Sequence, residues 1–439
     1  MRRLALLVCV LFTLTGCSSF MSRNNITNLL SAPKFSQTEN EIVNAIDSYI
    51  GEDISLRYST SHGYSSPIQL IDIDDDQTEE AVVFYYAPNK GANIRIALLA
   101  NTKDDWQIVF DKEGLGTDVF FFATEKFGRL SGKQLLVGYE TTGMDENFFA
   151  TYFTDTDKNI EDYVERCQSI VVGDVNYDGS SDIILSNNTA DGRIRLRSFE
   201  FGEDNKFRLV GTRLLKYHNI TPTQFTLAKS SYGETVLYAD YRDEYNQMHT
   251  EAMLFHDGGK MFDAFENTVV TRPWEYSMDL NSTDIDGDGV VETPTVVQKQ
   301  RGEDPEVLKM VQWTDYTRKQ PRLVYTGVFD TQEGLFVALP ENWTENIETF
   351  YGGSYWQITA KVAEEAETEE DTDESEETEE TVAPQPLLTV KQLDSYDKAE
   401  SGAYSYVVYK DTKIWHFQFS NEVELSEIQY IITRITDLG

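Results

Sequence analysis

The sequence predicts a mainly β chain, a β-propeller-like series of repeats of about 50 residues with a short N-terminal helix and a small C-terminal α+β unit. Three observations predict it. Runs of β-branched and aromatic residues, separated by Gly, Asn and Asp, begin near Ile68, Val119, Ile170, Phe225, Met278 and Leu335, at intervals of 51, 51, 55, 53 and 57 residues. That spacing suits a four-stranded blade. Within the intervals, LLVGYE with FFATYF and TVLYAD with EAMLFH read as hairpins, and acid-rich nonapeptides recur between apolar runs. One small sheet cannot bury both faces alone, whereas successive sheets cover one another and leave short edges. A pair of β-sandwiches is the competing arrangement.

Composition narrows the function. The 439 residues carry 37 Lys and Arg against 75 Asp and Glu, a net charge of −38 that would repel a polyanion and excludes nucleic acid as partner. With 40% hydrophobic and 12% aromatic residues the bulk of the chain can build a core.

The chain opens with Arg2 and Arg3, an apolar stretch from Leu4 to Leu14, and then Thr15, Gly16 and Cys17. The stretch is too short to span a bilayer. This segment resembles a bacterial lipoprotein signal. The resemblance implies removal of residues 1–16, a lipid on Cys17 as the membrane partner, and an extracytoplasmic, membrane-anchored location in the cell envelope or at the cell surface. In Gram-negative lipoproteins an aspartate after the lipidated cysteine commonly signals inner-membrane retention; Ser18 stands there instead, which permits surface display. Cys9 would be lost, leaving Cys17 and Cys167, so no internal disulfide is expected and Cys167 reads as buried and inert. Residues 17–35, rich in Ser and Asn, read as a tether.

The folded region is expected as a helix plus repeat domain over 36–330, then the α+β unit over 331–439. Ser36 and Glu39 are spaced as a capping box, Ile42, Val43, Ile46, Tyr49 and Ile50 line one helical face, and Gly51 ends the helix. Twelve acidic residues between Glu364 and Glu380 lack any aromatic and predict a disordered loop over 364–383. WQITAKV and LLTVKQL flank it as candidate strand partners, followed by YSYVVY and IWHFQF as two further strands. Leu425, Ile428, Ile431, Ile432 and Ile435 mark a final amphipathic helix, with Asn421 as N-cap and Glu424 as its capping partner.

The nonapeptides are DIDDDQTEE (Asp72 to Glu80), DVNYDGSSD (Asp174 to Asp182) and DIDGDGVVE (Asp284 to Glu292). Each places acid or amide oxygens at positions 1, 3, 5 and 9, and Ca²⁺ wants six to eight oxygens. Position 2 is apolar in all three (Ile73, Val175, Ile285), as a plug into the core would be. An EF-hand would need a Glu at position 12, where Val83, Leu185 and Thr295 stand. The pattern D-x-[DN]-x-D-G-x-x-[DE] between two strands is similar to the calcium loops of FG-GAP and VCBS repeats, the integrin-α-like propeller family. That resemblance covers roughly residues 60–330. It implies Ca²⁺ held by Asp174, Asn176, Asp178, the Ser180 carbonyl and Asp182, and by Asp284, Asp286, Asp288, the Val290 carbonyl and Glu292. The first loop keeps Asp72, Asp74, Asp76 and Glu80 but has Gln77 where Gly179 and Gly289 sit, which puts its positive-φ turn in question. The alternative for each loop is a plain polar hairpin turn.

The sequence holds no GxSxG, HExxH, phosphate-cradling glycine loop or CxxC pair, and its five histidines are scattered. The expectation is therefore a non-enzymatic binding or scaffold module at the envelope, with a protein or glycan ligand. The alternative is a polysaccharide-active hydrolase or lyase using a carboxylate pair. The six tryptophans are dispersed and read as core more readily than as sugar platforms.

Overall fold

The computed structural model describes residues 36–51, 54–58, 66–102, 105–143, 147–154, 160–256, 258–265, 269–273, 278–297, 307–361, 385–395, 402–410 and 412–438. The expected signal at 1–16, Cys17, the tether, the acidic stretch at 364–383, His62 and Trp274 lie outside the described residues. The described chain is mainly β and forms two units, one over 1–57, 66–72 and 77–113, the other over 58–65, 73–76 and 114–439.

In the first unit, α1 (Gln37–Ile50) opens on the predicted capping box. Ser36 Oγ accepts from Glu39 N, and Glu39 Oε2 accepts from Ser36 N. Gly51 closes the helix in the left-handed region at φ 80°. Ile42 and Ile46 are buried against sheet I, but Tyr49, expected on that face, is 59% exposed, since at the last turn its phenol reaches water. Sheet I contains β1 (Ser55–Leu56), β2 (Ile68–Ile71), β3 (Glu80–Tyr86), β4 (Arg95–Thr102) and β5 (Asp105–Glu113). Both β1 and β2 pair with β3 along successive stretches, so they act as one interrupted edge strand.

The second unit repeats the four-stranded antiparallel meander of a propeller-like chain. Sheet II is β6 (Asp118–Glu125), β7 (Gln134–Glu140), β8 (Asn147–Tyr152) and β9 (Tyr163–Cys167); sheet III is β10 (Ser169–Gly173), β11 (Asp182–Asn188), β12 (Ile194–Phe201) and β13 (Phe207–Leu214). Sheet IV is β14 (Thr221–Lys229), β15 (Thr235–Arg242), β16 (Gln247–His256) and β17 (Lys260–Asp263), with β18 (Val270–Pro273) also on β16. Sheet V runs β19 (Thr293–Val296), β20 (Leu308–Asp315), β21 (Arg322–Asp330) and β22 (Leu335–Ala338). After α2 (Glu341–Thr344), sheet VI has the order β23 (Ile347–Tyr351), β24 (Tyr355–Ala360), β25 (Pro386–Leu393), β27 (Lys413–Phe419) and β26 (Ser405–Lys410). The chain then forms α3 (Leu425–Thr433) and returns to sheet V, where β28 (Ile435–Asp437) pairs with β22.

Side-chain alternation explains why the sheets follow one another. In β11, Ile183 and Leu185 join the core shared with sheet II, while Ile184 joins the core shared with sheet IV. In β22, Phe336 and Ala338 pack toward Met248 of sheet IV, while Leu335 and Val337 pack with Trp356, Ile358 and Trp415 of sheet VI. Strands buried on both faces read as continuous apolar runs, as in EAVVFYY and TVLYADYR, rather than as alternation.

Several expectations are corrected. Met278 opens no strand; among the described residues the pairing ahead of the turn into β19 is the bridge of Thr283 to Glu292. Leu335 begins the fourth strand of sheet V rather than a new repeat, and sheet VI begins at Ile347. For α3 the N-cap is Glu424 with no side-chain cap bond, so Asn421 caps nothing, and Ile435 belongs to β28. Leu425 is 59% exposed. The pairs around the acidic stretch are as expected: β24 pairs with β25, and β26 with β27.

At Gly327 in β21, a Cβ would stand 2.2 Å from the Val337 carbonyl oxygen and 2.8 Å from the Phe336 ring. The backbone of a paired strand cannot retreat cheaply. Gly327→Ala is expected to cost about 1–3 kcal/mol by overpacking, read as a lowered urea midpoint; an unchanged midpoint would contradict the β21–β22 spacing.

Candidate metal centres

All three nonapeptides are tight turns between the first two strands of a sheet, or what stands for them. Ile73, Val175 and Ile285 are buried at 3%, 0% and 5% exposure, which fixes position 2 as the anchor. Positions 4 and 6 are left-handed in every turn: Asp75 and Gln77 at φ 63° and 71°, Tyr177 and Gly179 at 63° and 81°, Gly287 and Gly289 at 78° and 87°. The first turn therefore adopts this backbone without glycine, at the strain such residues carry there.

The backbone path is held by the same carboxylates that point inward. Oδ2 at position 1 accepts from the position 6 amide at 3.1 Å (Gln77 to Asp72), 3.0 Å (Gly179 to Asp174) and 2.8 Å (Gly289 to Asp284). The position 3 side chain accepts from the position 5 amide at 3.2 Å (Asp76 to Asp74), 3.0 Å (Asp178 to Asn176) and 3.2 Å (Asp288 to Asp286). In the second and third turns the position 5 carboxylate accepts from Ser180 N and Val290 N, each at 2.8 Å. The position 9 acid accepts from the amide of the apolar anchor, Val175 N to Asp182 at 3.1 Å and Ile285 N to Glu292 at 3.2 Å.

The second and third turns lie wholly within the larger unit, whereas the first is divided, Asp72 and Glu80 grouping with the first unit and Asp74 and Asp76 with the second. In the third turn Asp284, Asp286 and Glu292 each offer an oxygen, all within 4.8 Å of one another. Glu292 is fully buried, and among the described residues its Oε1 has no hydrogen-bond partner. Burial, reinforced by Asp286, Asp288 and Asp284, pushes its carboxyl up to about 8, against the opposing Ile285 N–H. Asp182, 2% exposed, is pushed up to about 7 by burial and then by Asp178, Asp174 and Glu200, again against one amide. The Asp286 carboxyl is also raised by burial and by Asp288. Such a donor set, hard oxygens crowded around a buried acid without enough donors, fits a divalent oxygen-seeking cation. Asp284, Asp286, Asp288 and Glu292 would hold it in the third turn, with the Val290 carbonyl completing the set; in the second, Asp174, Asn176, Asp178, Asp182 and the Ser180 carbonyl follow the same backbone path, but its three carboxylates are not gathered within 4.8 Å as Asp284, Asp286 and Glu292 are.

The turns also hold neighbouring sheets, a role the sequence did not disclose. The second turn takes hold of the end of sheet II: Gly128 N donates to Ser180 Oγ at 2.8 Å, Ser181 N to the Lys126 carbonyl at 3.2 Å, and Ser181 Oγ to Glu125 at 2.6 Å. The third turn bridges Val290 in parallel with Lys229 at the end of β14, the corresponding first strand of sheet IV. Tyr177 extends the second turn forward, its hydroxyl donating to the Gly233 carbonyl at 2.6 Å and its ring lying 4.1 Å beneath Lys229 Nζ. The aromatic at position 4 was the only available signal. Cys167 is fully buried, and burial pushes its thiol up to about 12. Trp106, Trp313, Trp343, Trp356 and Trp415 are all core residues.

No protein family and no curated protein matches the chain. Among solved structures it is similar to the Dos1 propeller, with 12% identity and a TM-score of 0.34 over 63% of this chain and 65% of that one, just under two thirds of its length. It is also similar to a protein from Lactobacillus plantarum, with 12% identity and a TM-score of 0.28 over 70% of this chain and 81% of that one.

Proposed function

We propose that the chain is a lipid-anchored, extracytoplasmic binding module whose acid-rich turns hold structural Ca²⁺, as FG-GAP and VCBS loops do. The observation that carries the calcium reading is the buried, half-partnered Glu292 beside Asp284 and Asp286. A bound divalent ion supplies charge neutralisation there and nothing more. This chain's own residues do the rest: Asp284 and Asp174 pin the turn amides, Ile285 and Val175 anchor the turns in the core, and the flanking contacts transmit the order to adjacent sheets. Because ion binding is linked to folding, it adds stability. The anchor is supported by Arg2, Arg3, the apolar run and Cys17, and the binding role by the absence of a common catalytic signature from the sequence.

Millimolar Ca²⁺ is expected to raise the melting temperature, and Asp284→Ala combined with Asp174→Ala to remove most of that rise. A calorimetric scan that is insensitive to Ca²⁺ over EDTA would overturn the reading.

The pH dependence has a definite sign. Unfolded, Asp182 and Glu292 titrate near 4; folded and ion-free they hold their protons to about 7 and about 8. The folded state thus binds more protons between those limits, and stability falls as pH rises through that window, by up to about 1.4 kcal/mol per pH unit for each group. In EDTA the melting temperature is expected to drop from pH 5 to pH 8. Ca²⁺ should reduce the drop, and Asp182→Asn with Glu292→Gln should flatten it. A melting temperature that climbs with pH in EDTA would refute the assignment.

Cys17→Ser is expected to shift the protein from the membrane fraction to the soluble fraction on expression in a bacterial host, with mass spectrometry of the parent protein finding a diacylglyceryl thioether on Cys17. Unmodified Cys17 would rule the anchor out.

A further inference from the structure

Along β12 the side chains alternate, Ile194 and Leu196 entering the core toward sheet IV while Arg195 and Arg197 take the opposite face. Further along that face Phe199 and Phe201 pack against sheet II, so the apolar seam between sheets II and III gives way to guanidinium groups. There the strands border a groove of about 520 Å³, whose lining includes Arg166, Arg195, Arg197, Glu165, Asn187 and Phe148. That volume lies within the roughly 300–1,000 Å³ typical of small-ligand sites. Among the described residues the lining holds three guanidinium groups and one carboxylate, in a chain with 37 basic and 75 acidic residues.

The groove is built, not incidental. Arg197 is fixed by Nε and Nη2 donating to Asn187 Oδ1 at 3.1 and 2.9 Å, Nη1 to Glu165 at 2.9 Å and Nη2 to the Arg166 carbonyl at 2.8 Å. Its guanidinium also lies 5.2 Å over the Phe199 ring. Asn187 Nδ2 donates to the same Arg166 carbonyl at 2.8 Å, tying β11 to β9. The Arg166 guanidinium stands 5.9 Å over Phe148. Arg195 is exposed, and among the described residues its guanidinium has no partner.

We infer that this groove binds the carboxylate of a uronate-bearing saccharide. A guanidinium fork matches a carboxylate edge to edge, and Arg195 has its donors open for one. Phe148 and Val164 give the lining an apolar part for the C–H side of a pyranose. The local positive field, set in an anionic protein, draws a single acidic group to this place and away from the rest of the surface. The groove's modest volume suits a sugar unit rather than an extended acidic peptide. This inference rests on the binding-module reading and names its ligand class.

The test is isothermal titration of the full chain, in millimolar Ca²⁺, with a hyaluronan hexasaccharide and a galacturonate hexamer. Controls are the carboxyl-reduced hyaluronan fragment and hexaglutamate. Saturable uronate binding is expected, weakened at least tenfold by carboxyl reduction and by Arg166→Ala with Arg195→Ala, lowered by salt, and unchanged by Arg208→Ala, which lies outside the groove. Failure of both uronates to bind, equal binding of the reduced fragment or of hexaglutamate, or indifference to the double substitution would each overturn it. Melting the same proteins with and without Ca²⁺ separates the claims. Lost uronate binding with the calcium response intact removes the groove alone, and the converse removes the calcium assignment alone. Release of cleaved sugars would overturn the non-enzymatic reading while leaving the groove's specificity standing.

Discussion

An acid taken out of water without enough donors is the constraint on which the turns depend. Asp182 and Glu292 each receive one amide from the turn's own anchor residue, and among the described residues the second Glu292 oxygen has no donor. A carboxyl in that position either keeps its proton or requires a cation. Both solutions place the group at the foot of the turn, where it also fixes the direction in which the second strand leaves. The remaining acids of each turn satisfy backbone amides, so the chain's own hydrogen bonds define the loop geometry. Preorganised oxygens of this kind avoid the cost of ordering a loose chain on binding.

From this local constraint follows a wider one. Each of the two turns inside the larger unit grips the first strand of the preceding sheet, Lys126 beyond β6 in one case and Lys229 of β14 in the other. The apolar seams between sheets II and III and between sheets IV and V are therefore tied by polar contacts at one end as well as filled by side chains. Sheet IV adds an internal tie, a fully buried Arg272 that donates to Asp240, Thr250 Oγ1 and the Leu280 carbonyl. Removing one partner of such a pair generally costs far more than the pair contributes against a well-packed apolar replacement.

Much of this was legible in the sequence because it is local. The capping box at Ser36 and Glu39, the glycine stop at Gly51, the hairpins β7–β8 and β15–β16, and the strand partners around the acidic stretch are all written within a few residues of where they act. The turn at Gln77 shows that the pattern of oxygens was a better guide than the glycine: φ stands at 71° without it, with the Gln77 amide donating to Asp72 Oδ2. What escaped was non-local. Leu335 begins an apolar run like those that open other sheets, yet its neighbours are β21 before it and β28 a hundred residues later. Ile435 continues the helical period of α3, but pairing with Val337 takes it into a strand. The arginine groove left a readable trace, the alternation IRLR, but only the meeting of β9, β11 and β12 turns it into one place.

The return of β28 to β22 has a consequence for how the molecule reaches its native state. Sheet V starts at Thr293 and is finished by Ile435–Asp437, roughly 140 residues later, after the whole of sheet VI has been laid down. Pairings of such sequence separation form late, since the intervening chain must first be gathered in. Until then the edge of β22 is open, an apolar strand of Leu335, Phe336, Val337 and Ala338 offering unpaired amides to any other chain. The final strand therefore acts as a latch: newly made molecules that have not yet closed it are the ones most exposed to mispairing.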